Sequence, residues 1–209
     1  MVRWTIFMRY AMTSDRCRLL IAVTPENICH GESGIVAGIL DAGFDYVHLR
    51  HPAASLAEVK AVIEDIPHRL RRRLRLHGHF GLVHEFNLGG LHLNRRCPSP
   101  PCGYPGPVSR SCHSVAEVAE VAGECDYVTL SPIFPSISKP GYSAEFSPSS
   151  LSSLPAGKVV ALGGLDGSRA LSLESYPFGG YAFLGAVWGA SDPVATAAHI
   201  VSLIKNRKQ

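Results

Sequence analysis

The 209-residue chain predicts a single compact (β/α)8 barrel, and three observations carry that prediction. Eight short segments are nearly continuous in apolar residues, as strands buried on both faces of a parallel sheet must be. Most are followed by a stretch with apolar residues at helical spacing. Eight such units in roughly 190 residues leave room only for short connections, which a closed barrel tolerates. An open doubly wound sheet would need fewer strands and a glycine-rich turn after the first one. The stretch found there, "VTPENICHG", holds no Gly-x-Gly-x-x-Gly. No internal repeat or linker divides the chain. The barrel is expected over residues 17–209, with residues 1–16 as an N-terminal extension outside it, and Met8 and Met12 as alternative starts.

The first strand is "RLLIAVTPE", closed by a turn. "GESGIVAGILDAGF" follows as a helix, with Ile35, Val36, Ile39 and Leu40 on one face. "DYVHL" is the second strand. "SLAEVKAVIEDI" is a helix with Leu56, Val59, Val62 and Ile63 on its apolar face and Ser55 with Glu58 as a capping box. "RLRLH", "GLHLN" and "VSRSC" are the third, fourth and fifth strands, with a short helix in "HFGLVHEF" and a proline-rich loop, "CPSPPCGYPGP", before the fifth. "SVAEVAEVAG" is a helix opened by a second capping box, Ser114 with Glu117. "DYVTLSPIF" is the sixth strand, followed by a long loop with a weak helix near its end. "KVVALGG" and "GYAFLGAVWG" supply the last two strands. "DPVATAAHIVSLIKN" is the closing helix, with Pro193 suited to its first turn.

The bulk numbers narrow the function classes. A net charge of +3 suits a small anionic ligand and is too mild to argue for nucleic acid. The basic run "RLRRRLR" at 69–75 lacks interleaved aromatics and reads as a solvated junction. No apolar run reaches the roughly 18 residues a membrane span needs. The six cysteines contain no Cys-x-x-Cys pair and read as reduced thiols of a cytoplasmic protein. The spacing of the histidines in "HGHFGLVH" does not match a helical metal-ligand pair, so no metal is expected.

In a barrel of this type the site forms at the carboxyl ends of the strands. The segment "YVHLRHP" ends the second strand in His48, Arg50 and His51. His77 and His79 follow the third strand, His92 lies in the fourth, and Ser111, Cys112 and His113 end the fifth. Ser136, Ser138 and Lys139 follow the sixth, where their donors suit an anion. Gly163–Gly164 and Gly185–Ala186 end the last two, where small residues let backbone N–H groups approach a phosphate. One end of the barrel thus collects imidazoles, guanidiniums, hydroxyls and glycines.

These stretches resemble the thiamine phosphate synthase/TenI family of small (β/α)8 barrels over roughly residues 18–205. "SRSCHSVAEV" is similar to the family's Gly-x-Ser-x-His-Ser-x-x-Glu stretch. "SPIFPSISKPGY" is similar to its Gly-Pro-Ile-Phe-Pro-Thr-x-Thr-Lys loop, and "VVALGGL" and "GYAFLGAVWGASDP" to its last two strand ends. The resemblance implies that Ser136, Ser138, Gly164, Leu184 (through its backbone) and Gly185 bind a thiazole phosphate. It places Ser111 on the pyrimidine side. It matches His113 to the histidine that moves protons in the TenI-type aminothiazole tautomerase.

The first half departs from the synthase pattern. Where synthases carry Gln-x-Arg-x-Lys to grip a diphosphate, "HLRHP" keeps only Arg50. Where they carry magnesium-binding aspartates, Gly78 and Cys97 stand. The expected activity is therefore a TenI-like tautomerisation of a thiazole carboxylate phosphate. His113 would be the proton carrier, His48 or His77 would assist it, and Arg50 would hold the carboxylate. No cofactor is expected; magnesium enters only if the chain is a synthase. A thiamine phosphate synthase and a non-catalytic binding or regulatory protein stand as alternatives. The expected partner is a small thiazole phosphate, with no nucleic acid or membrane, and an assembly of identical chains stays open.

Overall fold

Eight strands alternate residues between two environments, and that alternation builds the molecule. A computed structural model describes residues 18–135 and 146–205. Its strands are β1 (Leu19–Val23), β2 (Tyr46–Leu49), β3 (Leu74–Leu76), β4 (Gly90–Leu93), β5 (Val108–Cys112), β6 (Tyr127–Leu130), β7 (Val159–Leu162) and β8 (Gly180–Phe183). All pair in parallel and in sequence order, and β8 returns to β1, so the sheet is a closed barrel. The expected N-terminal extension lies outside the described residues, as do Ser136, Ser138 and Lys139.

The helices are α1 (Glu32–Asp41), α2 (Leu56–Asp65), α3 (Gly81–Glu85), α4 (Val115–Val121), α5 (Pro148–Ser152), α6 (Gly167–Ser172), α7 (Gly185–Trp188) and α8 (Pro193–Lys205). One residue set on each strand faces them. Leu20, Ala22, Val47, Leu49, Leu74, Leu76, Val128, Leu130 and Phe183 join Val36, Ile39, Val62 and Ile63 in one continuous core. Each such aliphatic side chain contributes about 1.5–3 kcal/mol when fully removed from water. The other set faces inward. Ile21, Val23, Tyr127, Val160 and Ala182 form a separate inner cluster.

The Ser55–Glu58 capping box forms in full. At the start of α4 only half of the second box forms. Ser114 caps the amide of Glu117, but the Glu117 carboxylate reaches one residue further back, to the amide of His113 at 2.6 Å. Leu56, expected on the buried face of α2, is 52% exposed. It is the first residue of the helix, and the buried stripe begins one turn later, at Val59.

The basic run is the larger correction. Residues His68–Arg73 form a 3-10 helix, and the run is not simply solvated. Arg71 is buried and donates to the carbonyls of Ile66 and Glu64. Arg73 donates to those of Leu40, Phe44 and Asp45. Carbonyls near a helix C-terminus lack intrahelical partners and carry partial negative charge, so guanidiniums satisfy them well. Arg75 turns into the barrel itself and is 2% exposed.

Candidate functional site

The carboxyl ends of the strands open into a cavity of about 820 Å³. His77, Arg50, Ser111, His113, Gly163, Gly164, Leu184 and Gly185 all line it, so most of the expected site residues converge there. His48 does not line it. Strand alternation sends Val47 and Leu49 outward and His48 inward, where it is fully buried beneath the cavity. His51 and His79 also leave the site. His51 turns away to Glu32 at 2.8 Å and Thr24 at 3.3 Å, tying the loop after β2 to the one after β1. His79 meets the carbonyl of Ala54 at 3.0 Å.

His113 sits between β5 and α4. Its Nδ1 lies 3.0 Å from the carbonyl oxygen of Ser131, just past β6. A carbonyl can only accept, so Nδ1–H donates, and the neutral ring keeps its free lone pair on Nε2. Its neighbour Cys112 is no competing nucleophile. Burial, then the charge of Glu117, pushes that thiol up to about 12.

Arg50 reaches the cavity from the end of β2 and pairs with Glu26 at 3.1 Å. Both groups are partly exposed, so the pair contributes only about 0–1 kcal/mol and an incoming carboxylate can displace it. Across the cavity, β7 and β8 offer backbone in place of side chains. Residues 163–165 and 184–186 all line the wall. The glycines there are not equivalent. Gly164 has φ +62°, and a Cβ on it would lie 2.4 Å from the carbonyl oxygen of Pro135 and 2.9 Å from Phe134. Its missing side chain accommodates the loop after β6 as well as any ligand. Gly185 has no atom within 4 Å of a Cβ position, so its missing side chain leaves open space.

Sequence reasoning missed the network below the floor. Tyr127 Oη meets His48 Nε2 at 2.6 Å, and His48 Nδ1 meets His77 Nε2 at 3.0 Å. His92, noticed in the sequence but given no role, stacks on His77 with ring centroids 4.1 Å apart. Ser109 donates to the carbonyl of Leu91, so it accepts from His92 Nδ1–H. His92 Nε2 is then free to accept from the hydroxyl of Ser111 at 2.8 Å. Burial is the main cause that holds all three imidazoles below the ordinary histidine range. Arg75 adds to it at His92, which falls to about 3. The three rings are therefore neutral at physiological pH. Beneath them the guanidinium of Arg75 stacks 5.0 Å from the Tyr46 ring and 4.7 Å from the Tyr127 ring, and pairs with Asp126 at 3.0 Å. The only advance signal was the alternation that puts His48, Arg75 and His92 on inward positions.

The two positions where the synthase pattern carries magnesium-binding aspartates do not suit that ion here. Gly78 offers no ligand and Cys97 offers a thiol, where a hard cation needs oxygen. Asp126 lies at the opposite pole with Arg75, and Glu85 pairs with Lys60 at 2.5 Å on the surface. Three carboxylates line the mouth, Glu26, Glu117 and Glu120; the first pairs with Arg50 and the second accepts from the amide of His113.

The family model described as thiamine monophosphate synthase matches residues 20–187. A Bacteroides thetaiotaomicron structure described as thiamine phosphate pyrophosphorylase is 32% identical, with a TM-score of 0.81 over 91% of this chain and 100% of that one. A Pyrococcus furiosus structure with the same description is 18% identical, with a TM-score of 0.73 over 92% and 97% of the two chains, and speaks for the fold alone. A Geobacter sulfurreducens relative, whose name assigns it provisionally to thiamine-phosphate synthase, is 26% identical over 194 residues, 83% of this chain and 87% of its own.

Proposed function

The chain belongs to the thiamine monophosphate synthase family, and from that premise we propose that it isomerises a thiazole carboxylate phosphate to its aromatic tautomer. The observation that carries this reading is the fixed tautomer of His113, whose Nδ1–H is engaged by the Ser131 carbonyl 3.0 Å away. That bond leaves Nε2 as the acceptor in a residue that lines the cavity. Nε2 takes a proton from the substrate ring, the resulting imidazolium keeps its Nδ1–H bond to Ser131, and a proton returns to the other tautomeric position. No atom is gained or lost. General base catalysis of this kind contributes about 10²–10⁴-fold.

Arg50 holds the substrate carboxylate in place of Glu26. The backbone of residues 163–165 and 184–186 receives the phosphate, with Ser136, Ser138 and Lys139 as further donors. His77 orients the ring from the opposite wall, and His48 supports His77 from behind. The poor fit to magnesium argues against displacement of diphosphate, which needs a metal or equivalent positive charge on the leaving group.

The names of the Bacteroides and Geobacter relatives favour a second reading, thiamine phosphate synthase. Two assays on one preparation separate the readings. The expected result is tautomer conversion that persists with magnesium withheld, and no diphosphate release from hydroxymethylpyrimidine diphosphate. Diphosphate release that requires magnesium would replace the tautomerase with the synthase. Inactivity in both assays, with thiazole phosphate still bound, would leave a binding protein.

A further inference from the structure

Below the cavity floor, nitrogens of His48, His77 and His92 all lie within 4.8 Å of one another. We propose that these three imidazoles form a binding site for a first-row transition-metal dication of the zinc type, with a remaining coordination position turned toward the cavity. This goes beyond the tautomerase reading and does not depend on it. The expectation of no metal rested on helical spacing in "HGHFGLVH" and on missing carboxylates. Neither bears on ligands gathered from three adjacent strands.

The geometry is close to what such an ion needs. Two nitrogens bound to one zinc at about 2.0–2.1 Å in tetrahedral arrangement lie about 3.4 Å apart. His48 Nδ1 and His77 Nε2 are already 3.0 Å apart. His92 stacks on His77 with ring centroids 4.1 Å apart, and its ligand nitrogen lies within 4.8 Å of the other two. The rear nitrogens are also held. His48 Nε2 faces Tyr127 Oη at 2.6 Å, and His92 Nδ1 faces Ser109 Oγ at 2.9 Å. A ligating histidine characteristically donates its other N–H to an oxygen, which fixes the tautomer and aims the forward lone pair. The rings are neutral, so binding needs no net loss of a proton; the proton now between His48 Nδ1 and His77 Nε2 shifts to His77 Nδ1, and the Ser111 hydroxyl releases His92 Nε2.

The donor set selects the ion. Three imidazoles with no carboxylate favour zinc, cobalt, iron(II), nickel or copper over magnesium or calcium. Charge balance selects the second ligand. The positive charge of Arg75 is matched by Asp126, so the bound dication would be compensated from the cavity side. His77 and Ser111 form that side of the wall, and an anionic oxygen ligand entering from the cavity, such as hydroxide or a carboxylate, would fit there. With a metal in place, His48 and His77 are ligands and His113 alone carries protons.

The test uses the full chain without an affinity tag, stripped with chelator and dialysed, then titrated separately with cobalt(II), zinc(II) and magnesium(II). The expected result is about one cobalt or zinc per chain at micromolar affinity or tighter, with visible cobalt absorption of a four- or five-coordinate site and no uptake of magnesium. His77→Asn and His92→Gln should each weaken binding at least about 100-fold, whereas His84→Asn, on the short helix α3, should change it less than about twofold. Circular dichroism and melting temperature check folding. If His92→Gln fails to fold, His77→Asn, at the half-buried end of β3, still decides. Substoichiometric cobalt at saturating concentration, or affinity unchanged in folded His77→Asn, would overturn the site. Because metal uptake is the readout, the result stands apart from either enzyme assay.

Discussion

The two halves of the barrel interior solve opposite problems. From β2 to β6 the inward positions hold Tyr46, His48, Arg75, His92, Ser109, Ser111, Tyr127 and Thr129. From β7 through β8 to β1 they hold Val160, Leu162, Ala182, Ile21 and Val23. The polar half must satisfy its own hydrogen bonds, because burying an unpaired polar group costs about 1–3 kcal/mol. It therefore ties most of its side chains to one another, with Thr129 Oγ1 and two nitrogens of Arg75 as the exceptions. The apolar half has no side-chain donors to offer and presents main chain at its rim. The difference suits the division of labour proposed above, in which one half would handle protons or a metal and the other would hold an anion.

The comparison breaks most decisively at His113. In His113→Asn the side chain still forms hydrogen bonds but cannot cycle a proton. Turnover should fall by at least about 10²-fold, with thiazole phosphate affinity within about threefold, under 1 kcal/mol. Kinetics and binding measured on one folded preparation check this, and retained turnover would reduce His113 to a helix-capping role.

Next in size is Tyr127→Phe. Removing the hydroxyl leaves His48 Nε2 buried without its partner, so denaturant unfolding should show a loss of about 1–3 kcal/mol. An unchanged midpoint would mean that the polar half is not the tightly coupled unit described above.

The apolar half is sharpened by Gly185→Leu. Its new side chain meets no protein atom at Cβ and grows into open space. Phosphate-ligand affinity should drop at least tenfold, about 1.4 kcal/mol, with little change in melting temperature. Gly164→Leu is a poorer probe, since its Cβ would collide with Phe134 and Pro135 whether or not a ligand is bound.

The smallest effect is expected at Thr129→Val. Thr129 Oγ1 is buried with no hydrogen-bond partner in the described structure, so the hydroxyl contributes nothing to offset its desolvation. Stability should change by less than about 0.5 kcal/mol or rise slightly. A loss above 1 kcal/mol would reveal a partner, such as a bound water, for that hydroxyl.

Much of this was legible in the sequence, for reasons that differ by residue. Eight apolar runs separated by helical periodicity suffice for the barrel, because parallel strands buried on both faces have little alternative composition. The rim residues His113, Arg50 and Gly185 were legible because strand ends map directly onto the cavity. The layer below was not. Tyr127 and His48 are 79 residues apart, and only closure of the barrel brings them into contact. His92 looked like one polar residue in an apolar strand until the register set it beside Ser109. The basic run misled because its sequence shows charge but not the free carbonyls at the ends of α1 and α2 that Arg71 and Arg73 satisfy.

Arg75 has a last consequence. Its guanidinium, wedged between the two tyrosine rings, lines a second cavity of about 520 Å³ at the far pole, and the two cavities have no lining residue in common. The barrel is a vessel with a stopper at one end, so whatever enters the site must leave through the same doorway. For an isomerase the departing molecule has the same charge and nearly the same shape as the arriving one. The two compete for a single berth, and the product should act as a competitive inhibitor with an affinity close to that of the substrate.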